Sequence, residues 1–267
     1  MPYFNYKSKQ IYYSDSNEGI PILFLHAFGL DSSAYHDFFN SFGTRYRWIL
    51  PDIPGIGLSD ALADYSMVSL ANCMDSLRTS LDIEVWTIIG HSIGGYIAME
   101  LLHRYPDTLS AMLLLHSHCY ADAPDKKEAR SKQIDFVQRN DHFIFMKELL
   151  GKLFSSEYIS THSAHFDHLI QQTVGFSKAG IIGCLKAMRD RSDLSDVLSR
   201  AIIPVGFILS LADQAIPVEA SLAQLTLPTR SAVYFPAHST HMSMFEAPVD
   251  CRKALSNFLN VNNQVYL

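Results

Sequence analysis

A serine flanked by glycines gives the strongest chemical signal in the sequence. The pentapeptide Gly90-His91-Ser92-Ile93-Gly94 directly follows the apolar run Val85 to Ile89 and directly precedes a helical pattern. Small residues beside the serine permit the sharp strand-to-helix turn that lifts its hydroxyl above a sheet. Free backbone N–H groups at such a turn favour negative charge. The pattern predicts that Ser92 is a nucleophile, and the alternative is a helix N-cap in a glycine-rich turn.

A serine nucleophile needs a base that takes its proton and an acid that orients the base. Asp213 follows the apolar run Val205 to Leu209 in a turn closed by Pro217, and His241 follows the last predicted strand after a short loop. The order Ser92, Asp213, His241 is the nucleophile, acid, base order of one serine-hydrolase architecture. The chemistry predicted for this set is two-step acyl transfer, in which water finally releases the acid.

Other histidines offer alternatives to this assignment. His238 precedes His241 by three residues and is the main alternative base, whereas His91 is expected to pack with its ring away from the Ser92 hydroxyl. The spacing H-x-x-H-x-x-H occurs at His162, His165 and His168. Steps of three residues spread such rings over about 120° of a helix, so one ion would not meet all three easily. We expect no metal and no cofactor.

The composition describes the chain that must position these residues. Of its 267 residues 48% are hydrophobic and 18% are charged, which excludes a disordered or collagen-like chain and predicts a large core. The 21 cations and 27 anions give a net charge of -6 without a basic stripe, which argues against a nucleic-acid partner. We expect a small-molecule substrate instead, and the composition leaves the oligomeric state open.

Segments for export or membrane insertion are not evident in the sequence. The longest apolar stretches, such as Ala111 to Leu115, reach about five residues, whereas a membrane span needs roughly 20. Met1 to Gln10 is polar and aromatic, so no secretory signal is visible and a cytoplasmic location is expected. The four cysteines are scattered without a C-x-x-C pair, which predicts reduced, buried thiols.

Short apolar runs alternate with amphipathic segments along the chain. Met67 to Leu81 is predicted to be a helix, and a second helix is predicted from Ile93 to about Tyr105. Alternating strands and helices predict an α/β fold with a mostly parallel, doubly wound sheet. The predicted strands are Pro21 to Leu25, Trp48 to Leu50, Val85 to Ile89, Ala111 to Leu115, Val205 to Leu209 and Ala232 to Phe235.

The alternation breaks after the fourth of these strands, where helical patterns occur without a good strand. We expect a core built from residues 1–118 and 202–267, with an all-helical insertion over 119–201. An insertion at this point can act as a lid, because ligands in open α/β sheets bind beyond the carboxyl ends of the strands. Its charged run, Ala123 to Arg139, has mixed signs and is predicted to be a solvated helix face.

Three further motifs resemble those of the α/β-hydrolase fold family, and the resemblance covers nearly the whole chain. Residues 25–29 (LHAFG) resemble the His-Gly loop after its third strand, and residues 52–59 resemble its D-x-P-G-x-G-x-S turn. Residues 246–248 resemble the E-x-P that follows the catalytic histidine. The resemblance implies that Asp213 is the acid and His241 the base. It also implies an oxyanion hole made by the backbone N–H groups of Phe28 and Ile93.

Departures from the family's usual residues occur at three positions. Ala27, Ser210 and Thr240 each stand where the family usually has glycine. A side chain at Ala27 would be strained only if its φ were positive. The nucleophile position holds Ser92 and not an aspartate, which disfavours haloalkane dehalogenases and epoxide hydrolases. The resemblance is closest to the group of small lid-bearing carboxylesterases, enol-lactonases and C–C hydrolases.

The function that this resemblance implies is hydrolysis of a small or medium carboxylic ester. A C–C bond hydrolase, lactonase, perhydrolase or hydroxynitrile lyase would use the same triad, and a non-catalytic receptor on the same fold is an alternative of another class. The predicted pocket residues are His26, His116, Phe145, Met146 and Met242. A wall from the insertion could also use Phe143, Leu149, Leu150, Phe154 and Met188, although half or more of its apolar residues should pack on the core. An acidic lactone would need a cation, available at Arg130, Arg139, Arg189 and Arg191, but these are expected to face solvent.

Overall fold

The structure is a computed structural model that describes residues 2–262. Eight strands form one sheet in the order β1-β2-β4-β3-β5-β6-β7-β8, antiparallel where β2 meets β1 and β4 and parallel elsewhere. The chain order reverses between β3 and β5, which is the point where open α/β sheets bind ligands. The strands are β1 Tyr3–Tyr6, β2 Lys9–Asp15, β3 Ile20–Leu25, β4 Tyr46–Pro51, β5 Trp86–His91, β6 Leu109–Leu115, β7 Val205–Ile208 and β8 Ser231–Tyr234.

Helices cover both faces of the sheet. They are α1 His36–Asn40, α2 Met67–Ser80, α3 Ile93–Arg104, α4 Pro124–Arg139, α5 His142–Leu153, α6 Ser156–Thr161, α7 Ser163–Gln172, α8 Lys178–Arg189, α9 Ser195–Ser199, α10 Val218–Ala223, α11 Ser243–Glu246 and α12 Pro248–Asn262. Successive β3 residues point to opposite faces, as strand geometry requires. Leu23 and Leu25 join the core on the α2 and α3 face, whereas Ile22 and Phe24 join the core on the α1 and α12 face. The doubly wound α/β fold predicted from the sequence is therefore confirmed.

The six predicted strands correspond to β3 through β8, with ends that differ by at most two residues. Strands β1 and β2 were missed because they lie at the antiparallel edge, where part of each strand is exposed and carries polar side chains. The predicted helix at Met67 to Leu81 is α2, which ends one residue earlier, and the helix predicted from Ile93 is α3.

The chain between β6 and β7 is helical. Helices α4 to α9 occupy this interval, and residues 116–204 contain no strand. Helix α4 coincides with the predicted charged run, and its buried residues are Arg130, Ile134 and Val137. Of the predicted core segment 202–267, the last five residues, 263–267, lie outside the described residues.

Two sequence expectations concern the chain as a whole. All four cysteines are free and buried, as predicted. Across residues 2–262, none of the helices combines the length and apolar character that crossing a membrane requires.

Candidate active site

Ser92 lies at the turn between β5 and α3, at the switch point of the sheet. Its backbone has φ 55 and ψ -115, a conformation that residues with a Cβ rarely adopt. A Cβ on Gly90 would overlap the Gly94 carbonyl, and a Cβ on Gly94 would overlap the Leu25 carbonyl. The Ser92 N–H donates to the carbonyl oxygen of Leu115 at 2.9 Å. The glycines of the motif thus permit the close packing that holds this strained turn against β3 and β6.

Asp213 and His241 form a buried pair beyond the ends of β7 and β8. The Nδ1 atom of His241 donates to Oδ2 of Asp213 at 2.8 Å. The other oxygen, Oδ1, accepts the backbone N–H groups of Ala215 and Ile216 at 2.8 and 3.0 Å. Burial raises the pKa of Asp213, but the facing histidines outweigh burial and hold that pKa well below its usual range. Asp213 is therefore ionised and fixes His241 with Nε2 as its proton acceptor.

A second histidine lies against the same carboxylate. His116 Nδ1 is 3.2 Å from Asp213 Oδ2, without the alignment of a hydrogen bond, while His116 Nε2 bonds the Ser243 hydroxyl at 2.7 Å. The Cys251 thiol donates to the same hydroxyl. Burial lowers the pKa of His116, so its ring is neutral near pH 7. His116 thus packs behind the Asp213–His241 pair.

His91 and His238, the neighbours of the predicted nucleophile and base, take different positions. His91 is fully buried, with Nε2 donating to the His241 carbonyl at 2.9 Å and Nδ1 accepting the Tyr35 hydroxyl at 3.0 Å. Burial, and then the proximity of His241, lower the pKa of His91 well below its usual range. His238 is exposed to solvent. His91 is therefore neutral, and its hydrogen bond to the His241 carbonyl holds the backbone of the His241 loop in place.

Ser92 and His241 line one cavity of about 110 Å³, which has room for several water molecules. No hydrogen bond joins the Ser92 hydroxyl to His241 in this conformation; such bonds are often long in unliganded enzymes and tighten with substrate. The other lining residues are Phe28, Tyr96, Lys126, Ala129, Arg130, Gln133, Leu149, Leu153, Leu185, Met188, Ala215 and Ile216. The lining of the cavity is thus mostly apolar, but it includes the two cationic side chains of Lys126 and Arg130.

The five predicted pocket residues do not line this cavity. His26 uses Nδ1 to donate to the Ala27 carbonyl and Nε2 to accept the Ile53 N–H, so it ties two loops together. Phe145 packs near Phe28, with ring centroids 6.4 Å apart, and lines a separate surface pocket between α4 and α5. Met146, Met242 and His116 are buried in the interior. The prediction that these five residues line the pocket is therefore wrong. The apolar face of a helix and the loops beneath a site pack against the protein core, so few of their side chains reach the cavity.

Of the apolar residues predicted for a wall from the insertion, two line the cavity, and the position of its charged residues differs from the expectation. Leu149 and Met188 line it, whereas Phe143, Leu150 and Phe154 do not. Arg130, expected to face solvent, is buried and lines the cavity together with Lys126. The burial of Arg130 could have been predicted from the sequence. Residues 130, 134 and 137 have the i, i+4, i+7 spacing of one helix face, and two of them are apolar. A charge on an apolar stripe requires a buried partner.

The two backbone N–H groups assigned to an oxyanion hole lie at adjacent strand ends. Phe28 follows β3, and Ile93 is the first residue of α3. Neither N–H donates a hydrogen bond to any group among residues 2–262. A helix N-terminus beside the predicted nucleophile can stabilise a developing oxyanion.

The three departures from the family's glycines have structural explanations. Ala27 has a negative φ, so its side chain causes no backbone strain. The Ser210 hydroxyl donates to the Ser239 carbonyl, which links the loop of the acid to the loop of the base. The Thr240 N–H and hydroxyl are both hydrogen-bonded to the Glu246 carboxylate, at 2.6 and 2.9 Å. Ser210 and Thr240 therefore add hydrogen bonds that glycine could not make.

One group among residues 2–262 has the donors to hold a metal ion. The ligand atoms of His116, Asp213 and His241 all lie within 4.8 Å of one another. Asp213 Oδ2 and His241 Nδ1, however, are 2.8 Å apart, whereas two ligands of one tetrahedral zinc stand roughly 3.3 Å apart. The spacing fits a direct hydrogen bond better than shared coordination.

Comparison with known proteins extends this description. A family model described as alpha/beta hydrolase fold matches residues 20–248. Uncharacterised proteins of Mycobacterium bovis and Mycobacterium tuberculosis are 37% identical over 101 residues, or 38% of this chain, and the match spans 30% of their length.

Two further comparisons cover nearly the full chain. A pimeloyl-[acyl-carrier protein] methyl ester esterase of Yersinia pseudotuberculosis is 23% identical over 267 residues, covering 96% of this chain and all of that protein. A thermophilic esterase from Thermogutta terrifontis, determined with malate bound, has a TM-score of 0.90 at 22% identity, over 96% of this chain and 95% of that one. The structural likeness shows a shared fold.

Proposed function

The chain belongs to the α/β-hydrolase fold family, whose model matches residues 20–248. We propose that it is a hydrolytic enzyme that cleaves small or medium carboxylic esters through an acyl-enzyme. The observation that carries the proposal is the buried Asp213–His241 pair, at 2.8 Å, whose histidine faces the same cavity as the strained Ser92. The Yersinia relative is named an esterase, which favours the ester over the other substrates of this triad.

In the proposed mechanism, His241 takes the Ser92 proton as the oxygen attacks the ester carbonyl. Asp213 holds His241 in the required tautomer and stabilises its cation. The N–H groups of Phe28 and Ile93 bind the oxyanion of the tetrahedral intermediate. The alcohol leaves with the proton from His241, and water activated by His241 then cleaves the acyl-enzyme to give the acid.

We also propose that the segment 119–201 is a lid over this site. Its helices contribute more than half of the cavity lining: Lys126, Ala129, Arg130, Gln133, Leu149, Leu153, Leu185 and Met188. A helical cover over the carboxyl ends of the strands excludes water from the reacting atoms, which strengthens electrostatic interactions there. The small volume supports a short acyl chain.

A panel of 4-nitrophenyl esters with acyl chains of two to ten carbons tests the proposal. The wild type is expected to hydrolyse the short members, and Ser92→Ala to lose about 10⁴-fold or more in kcat. A fluorophosphonate probe is expected to label the wild type and a Ser163→Ala control, whose serine lies exposed on α7, but not Ser92→Ala. Hydrolysis retained by Ser92→Ala would refute the proposal.

The two neighbouring histidines give a matched test of the base. His241→Gln is expected to abolish hydrolysis, whereas His238→Gln, a change of an exposed side chain, should leave it within about twofold of the wild type. The reverse outcome would assign the base to His238.

A further inference from the structure

The cavity beside Ser92 contains two cationic side chains from one helix face. Lys126 and Arg130 are four residues apart on α4, which places them side by side. Both line the cavity; Arg130 is 8% exposed and Lys126 is half-buried. Cations in a mostly apolar cavity are costly unless an anion accompanies them, because burial removes their hydration.

Asp122 supplies one anion, but two guanidinium groups share it. Its Oδ2 accepts from Nε of Arg130, and its Oδ1 accepts from an Nη of Arg191 at 2.6 Å. Arg191 is otherwise satisfied, since it also donates to the carbonyls of Tyr120 and Met188 and lies 4.0 Å from the ring centre of Tyr96. Arg191 is therefore held as a structural cation.

Arg130 and Lys126 keep hydrogen-bond donors that the protein does not use. Within residues 2–262 Arg130 donates only through Nε, which leaves both terminal NH₂ groups unpaired. The Lys126 ammonium donates once, to the carbonyl of Ala215 at 3.3 Å. A guanidinium with free NH₂ groups is the group that best binds a carboxylate with two parallel hydrogen bonds.

The charges around the cavity do not balance. Lys126, Arg130 and Arg191 give three positive charges, and Asp122 is the buried carboxylate in contact with this group. The buried carboxylate of Asp213 is bonded to His241 and to two backbone N–H groups instead, and Asp125, beside Lys126, is exposed to solvent. Counting both buried carboxylates still leaves a surplus positive charge. Burial, and then the Arg191 charge, lower the pKa of the adjacent His118 to about 3, so His118 stays neutral. Burial, and then Arg130, also lower the pKa of Lys126. The surplus positive charge favours an anion in the cavity.

We infer that the preferred substrate carries a carboxylate remote from the scissile ester, as in a monoester of a short dicarboxylic acid, and that Arg130 and Lys126 bind this carboxylate. The assignment rests on the proposed function, because it places the ester at Ser92. The apolar side chains that share the cavity, such as Leu149 and Met188, would contact the methylene chain between the two groups.

Two esters of matched shape test the inference. The 4-nitrophenyl monoester of glutaric acid ends in a carboxylate, and 4-nitrophenyl 5-methylhexanoate ends in a neutral isopropyl group of the same outline. The wild type is expected to prefer the glutarate ester by about tenfold or more in kcat/KM. Arg130→Met and Lys126→Met should each lower this preference by about tenfold to hundredfold, since each removes a charge-assisted contact.

Lys127→Met is the matched control, because Lys127 is exposed on the same helix and does not line the cavity. It should leave the preference unchanged. Arg130→Lys should retain part of the preference, as it keeps the charge and loses the planar fork. Arg130→Met could misfold because it breaks the bond to Asp122, but Lys126 makes no hydrogen bond to Asp122. Lys126→Met therefore tests the inference even if the Arg130 variants do not fold.

A second readout does not depend on turnover. Glutarate dianion is expected to raise the Tm of the wild type above that in sodium chloride of equal ionic strength, and to raise the Tm of Arg130→Met or Lys126→Met less. Equal hydrolysis of the two esters by the wild type, together with no glutarate effect on Tm, would overturn the inference while leaving the ester hydrolase in place. Hydrolysis that survives in Ser92→Ala would instead refute the proposed function.

Discussion

Replacement of Ser92 by glycine should stabilise the fold relative to replacement by alanine. Ser92 has φ 55 and ψ -115, a region in which a Cβ is strained but glycine is not. Both substitutions remove the hydroxyl, so the comparison is independent of catalysis and of hydroxyl hydrogen bonds. It isolates the backbone strain that the turn between β5 and α3 imposes.

The expected magnitude follows from two opposing contributions to the free energy of unfolding. A residue held in such a sparsely populated conformation costs about 1–3 kcal/mol, which glycine relieves. Glycine also gains more entropy in the unfolded chain, which costs about 0.5–1 kcal/mol relative to alanine. With the middle of each range, the difference favours Ser92→Gly by roughly 1 kcal/mol, or a Tm higher by about 2–4 °C for a chain of this size.

Urea unfolding followed by circular dichroism measures this difference, and Ser131 provides the control. Ser131 lies within α4, where glycine should be less stable than alanine by about 1 kcal/mol. The two sites should therefore give opposite orders of stability. If Ser92→Ala is as stable as Ser92→Gly, while the Ser131 pair behaves as expected, the turn stores no strain and the reasoning fails.

Three further predictions follow from the geometry. Gly94→Ala should lower the free energy of unfolding by about 1–3 kcal/mol, because its Cβ would overlap a β3 carbonyl. Gly151→Ala in α5, where a Cβ would meet nothing within 4 Å, should raise the free energy of unfolding by about 0.5–1 kcal/mol. Urea unfolding of the two variants checks both signs. His118 stays neutral in the fold down to about pH 3, so below pH 6.5 only the unfolded chain takes up its proton and stability falls by up to about 1.4 kcal/mol per pH unit. His118→Gln should flatten this loss between pH 6 and pH 4 in urea titrations, and an unchanged slope would contradict the assigned cause. Glu246→Gln should destabilise by about 1.5–3 kcal/mol and lower kcat, because its carboxylate accepts the Thr240 donors; equal stability of wild type and variant would count against this role.

The parts of the fold that depend on a pattern of neighbouring residues could be predicted from the sequence. Buried parallel strands are nearly continuous in apolar residues, so β3 to β8 were found, whereas the half-exposed β1 and β2 were not. The turn at Ser92 could be predicted because its strand, glycines and helix are contiguous in the chain. The roles predicted for Asp213 and His241 stay predictions, although the structure brings the two side chains together.

The cavity wall could not be predicted, because it depends on packing between distant segments. The large apolar residues of α5, Phe145 and Met146, were assigned to the pocket but serve the packing of that helix. Arg130 was assigned to solvent because charged residues mostly lie there. Its burial depends on Asp122 and Arg191, which are 69 residues apart in the chain.

Thr240, which stands where the family has glycine, helps to tie the loop of His241 to the helices above it. Glu246 accepts the Thr240 N–H and, through its other oxygen, the Ser155 N–H at 2.6 Å, while the Thr240 hydroxyl lies 3.0 Å from the Leu153 carbonyl. One carboxylate therefore joins the residue before His241 to the junction of α5 and α6. Displacement of that junction would break hydrogen bonds to the Glu246 carboxylate, and bonds of this kind contribute about 1.5–3 kcal/mol each. If the segment 119–201 acts as the lid proposed above, these bonds oppose its opening on the side next to His241.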